Sequence, residues 1–147
     1  MNELDQSRIP YSIQFSEVRI GLSKLFVTEI TPEIVDSFAI LSGDTNPLHT
    51  DDDYAKRYGH PSRVAHGLLT SSFYSKLVGM YLPGKFALLH QIDIRFTSPV
   101  YVGDIVTISG SIIAIHDSVR QLEISAAIKN QNEKKISKAN IKVGMYE

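Results

Sequence analysis

Asp44-Thr45-Asn46-Pro47-Leu48-His49 is the densest run of chemistry-bearing side chains in this sequence. A carboxylate and an imidazole five residues apart, in a turn that Pro47 stiffens, can converge on one water and handle its proton between them. Asn46 can satisfy the turn's backbone or orient the carboxylate. Spacing alone leaves a plainer role equally open, with Asp44 and Asn46 as turn formers and His49 as a surface residue. Metal binding fits less well. An EF-hand loop needs glycine at its sixth position and an oxygen ligand at its fifth, where this run has His49 and Leu48. Zinc could draw on His49, His60 and His66, but gaps of 11 and 6 residues match no usual ligand spacing, and no metal is expected.

Ala65-His66-Gly67 forms a second cluster, at the start of an apolar helical stretch. Glycine there lets a ligand approach bare amides at the positive end of a helix, the arrangement that stabilises an oxyanion. Close packing at Gly67 and a hydrogen-bonded core histidine at His66 explain the same residues without a ligand. Ser75, about two turns further on, can donate a hydrogen bond or simply pack as a small residue.

The elements that must position these groups are legible in outline. A strand is expected over about 18–28. Thr31-Pro32-Glu33 carries the cap, first-turn proline and acid of a helix start. Ile34, Val35, Phe38, Ala39 and Leu41 then recur at helical spacing until Gly43 stops them, immediately before Asp44. Residues 51–58 predict a short helix with acids first and bases last. A longer helix is expected from Gly67 to about Leu82, with Leu68, Ser72, Ser75 and Gly79 on one small-residue stripe; uncharged from Gly67 to Ser75, it should be buried.

The second half changes period. Phe86, Leu88, His90, Ile92, Ile94 and Phe96 alternate with more polar neighbours, and Val106–Ala114, Leu122–Ile128 and Ala139–Met145 repeat the pattern. Turns at His116-Asp117-Ser118 and Asn130-Gln131-Asn132 make adjacent strands antiparallel. The fold class is therefore α+β, with a sheet of four or five strands around one buried helix. At 147 residues one domain is expected over 1–147, with 1–11 as a loose arm.

Composition removes several functions. Fifteen Lys and Arg against sixteen Asp and Glu leave no positive field for nucleic acid. The local run Lys129, Lys134, Lys135, Lys138 and Lys142 reads as a solvated face with at most a weak phosphate contact. With no cysteine there is no disulfide, thiolate nucleophile or Cys-ligated zinc. No signal-like N-terminus and no membrane-length apolar run are present, so a cytoplasmic protein without a membrane partner is expected.

Taken together, Phe38-Ala39-x-x-Ser42-Gly43-Asp44-x-Asn46-Pro47-Leu48-His49, Ala65-His66-Gly67 seventeen residues later, and Ser98-Pro99-Val100-Tyr101-Val102-Gly103-Asp104 resemble the MaoC-like, (R)-specific enoyl-CoA hydratases. The resemblance runs from about Val18 to Val143. It implies the hot-dog fold, an antiparallel sheet wrapped around a central helix, and a homodimer. It implies reversible hydration of a trans-2-enoyl thioester to the (R)-3-hydroxyacyl thioester, with coenzyme A or acyl carrier protein as carrier and no further cofactor. Carried over, the acid/base pair falls on Asp44 and His49, the oxyanion amide on Gly67, and a site-shaping serine on Ser75. Asn46 and His66, which lie in the same two clusters, are expected beside the substrate. The chain departs from the family at Tyr58–Val64, where the usual aromatic-Gly-x-Pro loop is longer. Two other classes compete: a hot-dog thioesterase, with water aimed at the carbonyl carbon, and a non-catalytic acyl-thioester-binding subunit.

Overall fold

Turn residues set where the first elements begin. In the computed structural model, which describes residues 8–147, strand β1 (Ser23–Glu29) starts later than residue 18 because a 3-10 turn over Phe15–Glu17 and a left-handed reversal at Gly21 (φ 90°) occupy the stretch before it. Helix α1 (Pro32–Ser42) is capped as expected, Thr31 Oγ1 accepting from the Ile34 amide at 3.3 Å, and Gly43 ends it at φ 78°. Val35 and Ala39 are buried, whereas Leu41 is 83% exposed. Six residues beyond Val35, Leu41 lies about 120° around the helix and off the buried stripe.

Two short helices follow, α2 (Pro47–Thr50) and α3 (Asp52–Arg57). Only the second was expected. Helix α4 (Gly67–Lys76) then runs into a wider π-helical turn, Leu77–Tyr81. Leu69, Thr70, Tyr74, Leu77 and Val78 are buried, but Leu68, Ser72 and Ser75 are exposed, so the helix expected to be buried is buried on one side and open on the other. The bulkier side chains on the opposite side remove more apolar area from water when they face the sheet, so they take the core.

The sheet contains β1, β2 (Ala87–Phe96), β3 (Ile105–His116), β4 (Gln121–Lys129) and β5 (Lys135–Met145), all antiparallel, in the order β1-β3-β4-β5-β2. Strand β2 crosses to pair with β5 and forms one edge, bulged between Leu89 and Gln91. Its expected apolar face is therefore only partly covered, and Leu88 and Phe96 stay exposed. Phe26, Ile108, Ile124, Ile141 and Val143 from the inner face share one core with Tyr74, Leu77 and Leu82. Gly110 has no room for a side chain there: a Cβ would lie 2.9 Å from Leu77 Cδ2 and 3.1 Å from Ile124 Cγ2. This is the sheet around a helix that a hot-dog fold requires. Of the arm, residues 1–7 lie outside the described residues, and Tyr11 is held to the domain by main-chain bonds with Met80 and Lys85.

One buried polar pair ties helix to sheet. The Tyr74 hydroxyl bonds Ser137 Oγ at 2.8 Å, both residues fully buried. Tyr74→Phe leaves Ser137 Oγ without its partner and should cost about 1–3 kcal/mol. Burial pushes the Tyr74 phenol up to about 12, against a smaller downward pull from its bond to Ser137. Because the folded value exceeds the ordinary 10, the contribution is full below pH 10 and is lost as pH rises from there through about 12. Denaturant melts across that window should show an alkaline loss of stability in the wild type that is missing in Tyr74→Phe.

Candidate active site

His49 owes its orientation to a single turn of helix. Asn46 begins α2 by accepting the Leu48 amide on its Oδ1 at 3.0 Å, and Pro47 supplies the first helical position. The turn brings the His49 ring against the segment before α4, where Nδ1 lies 2.7 Å from the Val64 carbonyl oxygen. A carbonyl can only accept, so the hydrogen sits on Nδ1 and Nε2 keeps its lone pair. That lone pair faces Asp44, with Nε2 and Oδ2 3.8 Å apart.

Asp44 is fixed mainly through its backbone. Its amide donates to Ser42 Oγ at 3.2 Å, and Ser42 in turn donates to the Phe38 carbonyl at 2.7 Å. Its Oδ1 accepts the Asn46 amide at 3.2 Å, leaving Oδ2 for the site. The gap of 3.8 Å is too long for a direct hydrogen bond. It admits one water about 2.8 Å from both atoms, donating one hydrogen to each.

His66 joins the two. Its Nε2 lies 2.9 Å from the Asp44 carbonyl oxygen, so Nε2 carries the hydrogen, and its ring stacks on that of His49 with centroids 3.8 Å apart. The residue is 3% exposed, and its Nδ1 is buried without a hydrogen-bond partner. Asp44, His49 and His66 present possible metal-donor atoms within 4.8 Å of one another. The two stacked rings lie 27° from parallel, however, so an ion midway would sit well outside both ring planes, and His66 Nε2 is already committed. His60, the third histidine weighed for zinc, lies against the Tyr101 hydroxyl at 3.2 Å.

Gly67 is the first residue of α4, so its amide has no partner within the helix. Phe96 presses on it from β2: a Cβ would meet Phe96 Cε1 at 3.1 Å. A hollow of about 390 Å³ opens here, walled by Phe38, Asp44, His49, His66, Leu68 and Phe96. A second, of about 380 Å³, shares His49, Gly67 and Phe96 and continues past Thr97 and Ser98 to Ile136. Apolar walls with a few convergent polar groups suit an acyl chain with one reactive end.

The structure thus brings Asp44, His49, His66 and Gly67 together. Asn46 stands beside them, but its side-chain oxygen is spent on capping α2. Ser75 lies exposed two turns along α4 and walls neither hollow. Phe96, Ser42 and the Val64 carbonyl were given no site role from the sequence, although Ser42 stands in the motif that ends at His49. Phe96 ends an alternating strand and gives no local sign of facing a glycine, and a backbone carbonyl leaves no trace in residue type.

The family model described as a MaoC like domain matches residues 22–139. The chain is 35% identical, over 105 residues, to a 3-hydroxybutyryl-CoA dehydratase of Methylorubrum extorquens, covering 71% of this chain and 65% of that one. It is 38% identical, over 93 residues, to an (R)-specific enoyl-CoA hydratase of Rhodospirillum rubrum, covering 63% and 65%. The matched stretch therefore spans just under two thirds of each of these relatives. In shape it is similar to the (R)-hydratase of Aeromonas caviae involved in PHA biosynthesis, with a TM-score of 0.86 at 28% identity over 88% of this chain and 98% of that one.

Proposed function

Since the chain belongs to the MaoC-like family, we propose that it is an (R)-specific hydratase/dehydratase interconverting trans-2-enoyl and (R)-3-hydroxyacyl thioesters. The observation that carries this reading is the His49 Nε2 lone pair facing Asp44 Oδ2 across a gap that fits one water, beside the Gly67 amide.

In the hydration direction His49 Nε2 takes a proton from the held water as its oxygen bonds C3. The C2–C3 π electrons move toward the thioester carbonyl, whose oxygen gains negative charge at the Gly67 amide and the positive end of α4. Asp44 Oδ2 accepts a hydrogen bond from the water's other hydrogen, which stays on the oxygen, and keeps the attacking lone pair directed. The proton held by the pair then passes to C2 and the carbonyl re-forms, so the elements of water add to one face of the double bond and the enzyme is restored. The substrate is delivered on coenzyme A or acyl carrier protein, and this chemistry needs no further cofactor. Among the described residues no helix is long and apolar enough to cross a membrane; we place the reaction in the cytoplasm.

Crotonyl-CoA tests the reading. Loss of the enoyl absorbance without release of free thiol is expected. Thiol release would make the protein a thioesterase, and neither signal would make it a binding subunit.

Ser75→Ala should leave turnover within about twofold of wild type, far less than any change at Asp44 or His49, because Ser75 is exposed and walls neither hollow. A loss of about 10-fold or more in a folded protein would restore the site-shaping role that the resemblance gives it.

We also propose a homodimer as the working form. Strand β2 is an open edge, and exposed Leu68 and Phe96 line the catalytic hollow itself, so a second copy would cover the site. Light scattering at micromolar concentration should give twice the chain mass; a fully active monomer would overturn this.

A further inference from the structure

Arg63 lies in the segment between α3 and α4, and its side chain is only 12% exposed. Its Nη1 donates to Asp36 Oδ1 on α1 at 2.6 Å and to the His49 carbonyl at 3.2 Å. Its own backbone is held at both ends, the amide donating to Asp52 Oδ1 at 2.9 Å and the carbonyl accepting from the Val102 amide at 3.1 Å. The next residue, Val64, takes the His49 ring hydrogen on its carbonyl and donates its amide to the Leu48 carbonyl at 3.1 Å. Consecutive residues therefore grip His49 at its two ends, Arg63 the main chain and Val64 the ring. Arg63 itself walls neither hollow beside the Asp44–His49 pair.

We propose that Arg63 is a positioning residue for His49, and that the Asp36–Arg63 pair sets where Nε2 stands relative to Asp44. The case is physical. A helix of four residues has no stability of its own, because nucleating one turn fixes several dihedrals for one hydrogen bond. The direction in which α2 presents His49 therefore depends on its tethers. Both bonds leave one nitrogen, Nη1, and the rigid guanidinium plane fixes their direction; a lysine ammonium on its flexible stem could reach the same acceptors but would hold them less firmly. It also places positive charge at the C-terminal end of α2, where the helix dipole favours it. Released from Arg63, the His49 carbonyl turns to solvent and the turn drifts. A displacement of about 1 Å is enough to cost on the order of 10²-fold in rate.

The kinetic arm rests on the hydratase reading above, so the test carries a second readout that does not. Arg63→Gln should lower kcat about 10- to 30-fold with KM within about threefold, since the change spoils transition-state alignment rather than uniform binding. Arg63→Lys should recover part of kcat, and Asp36→Asn, which leaves Arg63 in place, should lower it about threefold. In parallel, ¹⁵N imidazole spectra with the His49 signal assigned by its loss in His49→Gln should show Nδ1 protonated in the wild type and a mixture of tautomers in Arg63→Gln. If crotonyl-CoA is not a substrate, the tautomer shift alone decides for or against the positioning role. An unchanged His49 signal in Arg63→Gln, or kcat within twofold of wild type, overturns it. If Arg63→Gln does not fold, Asp36→Asn and Arg63→Lys decide by the same two readouts.

Discussion

Asp44→Asn should lower crotonyl-CoA turnover about 10²- to 10⁴-fold, and changes at His49 should do the same. Asparagine at position 44 keeps an oxygen for the Asn46 amide, which now holds Oδ1 at 3.2 Å, and removes the charge opposite His49. At position 49 two replacements separate the two ring nitrogens. Asparagine places an N–H near the site of Nδ1, within reach of the Val64 carbonyl, but has nothing where Nε2 stood. Glutamine reaches toward the Nε2 position without a titrating lone pair. Both should be inactive to the same degree if Nε2 moves the proton, while His49→Asn should melt closer to wild type because its tether survives. The double change at 44 and 49 should lose little more than the worse single one, because two groups acting on one water form a unit. Turnover of wild type, singles and double, with melting temperatures alongside, checks all of this. A near-wild-type rate in a single mutant would return that residue to a structural role and remove the proposed mechanism.

How much of this was legible in the sequence depended on whether a feature is local. The caps of α1 at Thr31 and Gly43, the acids opening α3 and the alternation of β3 to β5 are written within a few residues of where they act, and they hold. The pairing of β2 with β5 is not local, and neither is the choice of which α4 face turns inward. The uncharged stretch from Gly67 to Ser75 predicts a buried helix but does not say which side goes in, and the stripe Leu68, Ser72, Ser75 and Gly79 is as uncharged as the rest. In this chain the opposite side, with Leu69, Tyr74 and Leu77, has more apolar area to bury, and the sheet takes it.

The site divides the same way. Asp44 and His49 announce themselves by type and spacing, and the resemblance adds Gly67. What holds them in the proposed arrangement is supplied by groups with no sequence signature: the Val64 carbonyl bonded to His49 Nδ1, and the Asp44 carbonyl bonded to His66 Nε2. Arg63 was visible as a residue of the longer loop, yet only the folded chain shows its guanidinium between Asp36 and His49.

His66 was expected beside the substrate as part of the Ala65-His66-Gly67 cluster, with a hydrogen-bonded core histidine as the other reading, and its geometry favours the second. Its ring is 3% exposed, stacks on His49 and donates to the Asp44 carbonyl, so its contacts run to both members of the pair. His66→Ala removes that donor, leaves a carbonyl without its partner and opens a cavity behind His49. The unmade hydrogen bond alone costs about 1–3 kcal/mol, which for a domain of this size lowers the melting temperature by about 2–4 °C per kcal/mol. Turnover should fall about 10- to 100-fold with KM nearly constant, because the pair is displaced while His66, 3% exposed, offers the hollow almost no surface to lose. His66→Gln offers an N–H near the Nε2 position and should recover most of the turnover and of the melting temperature. Steady-state kinetics and thermal melts of the two variants decide the matter. A rise in KM at unchanged kcat would put His66 against the substrate after all, and equal rates in the two variants would show that its bond to Asp44 does not position the pair.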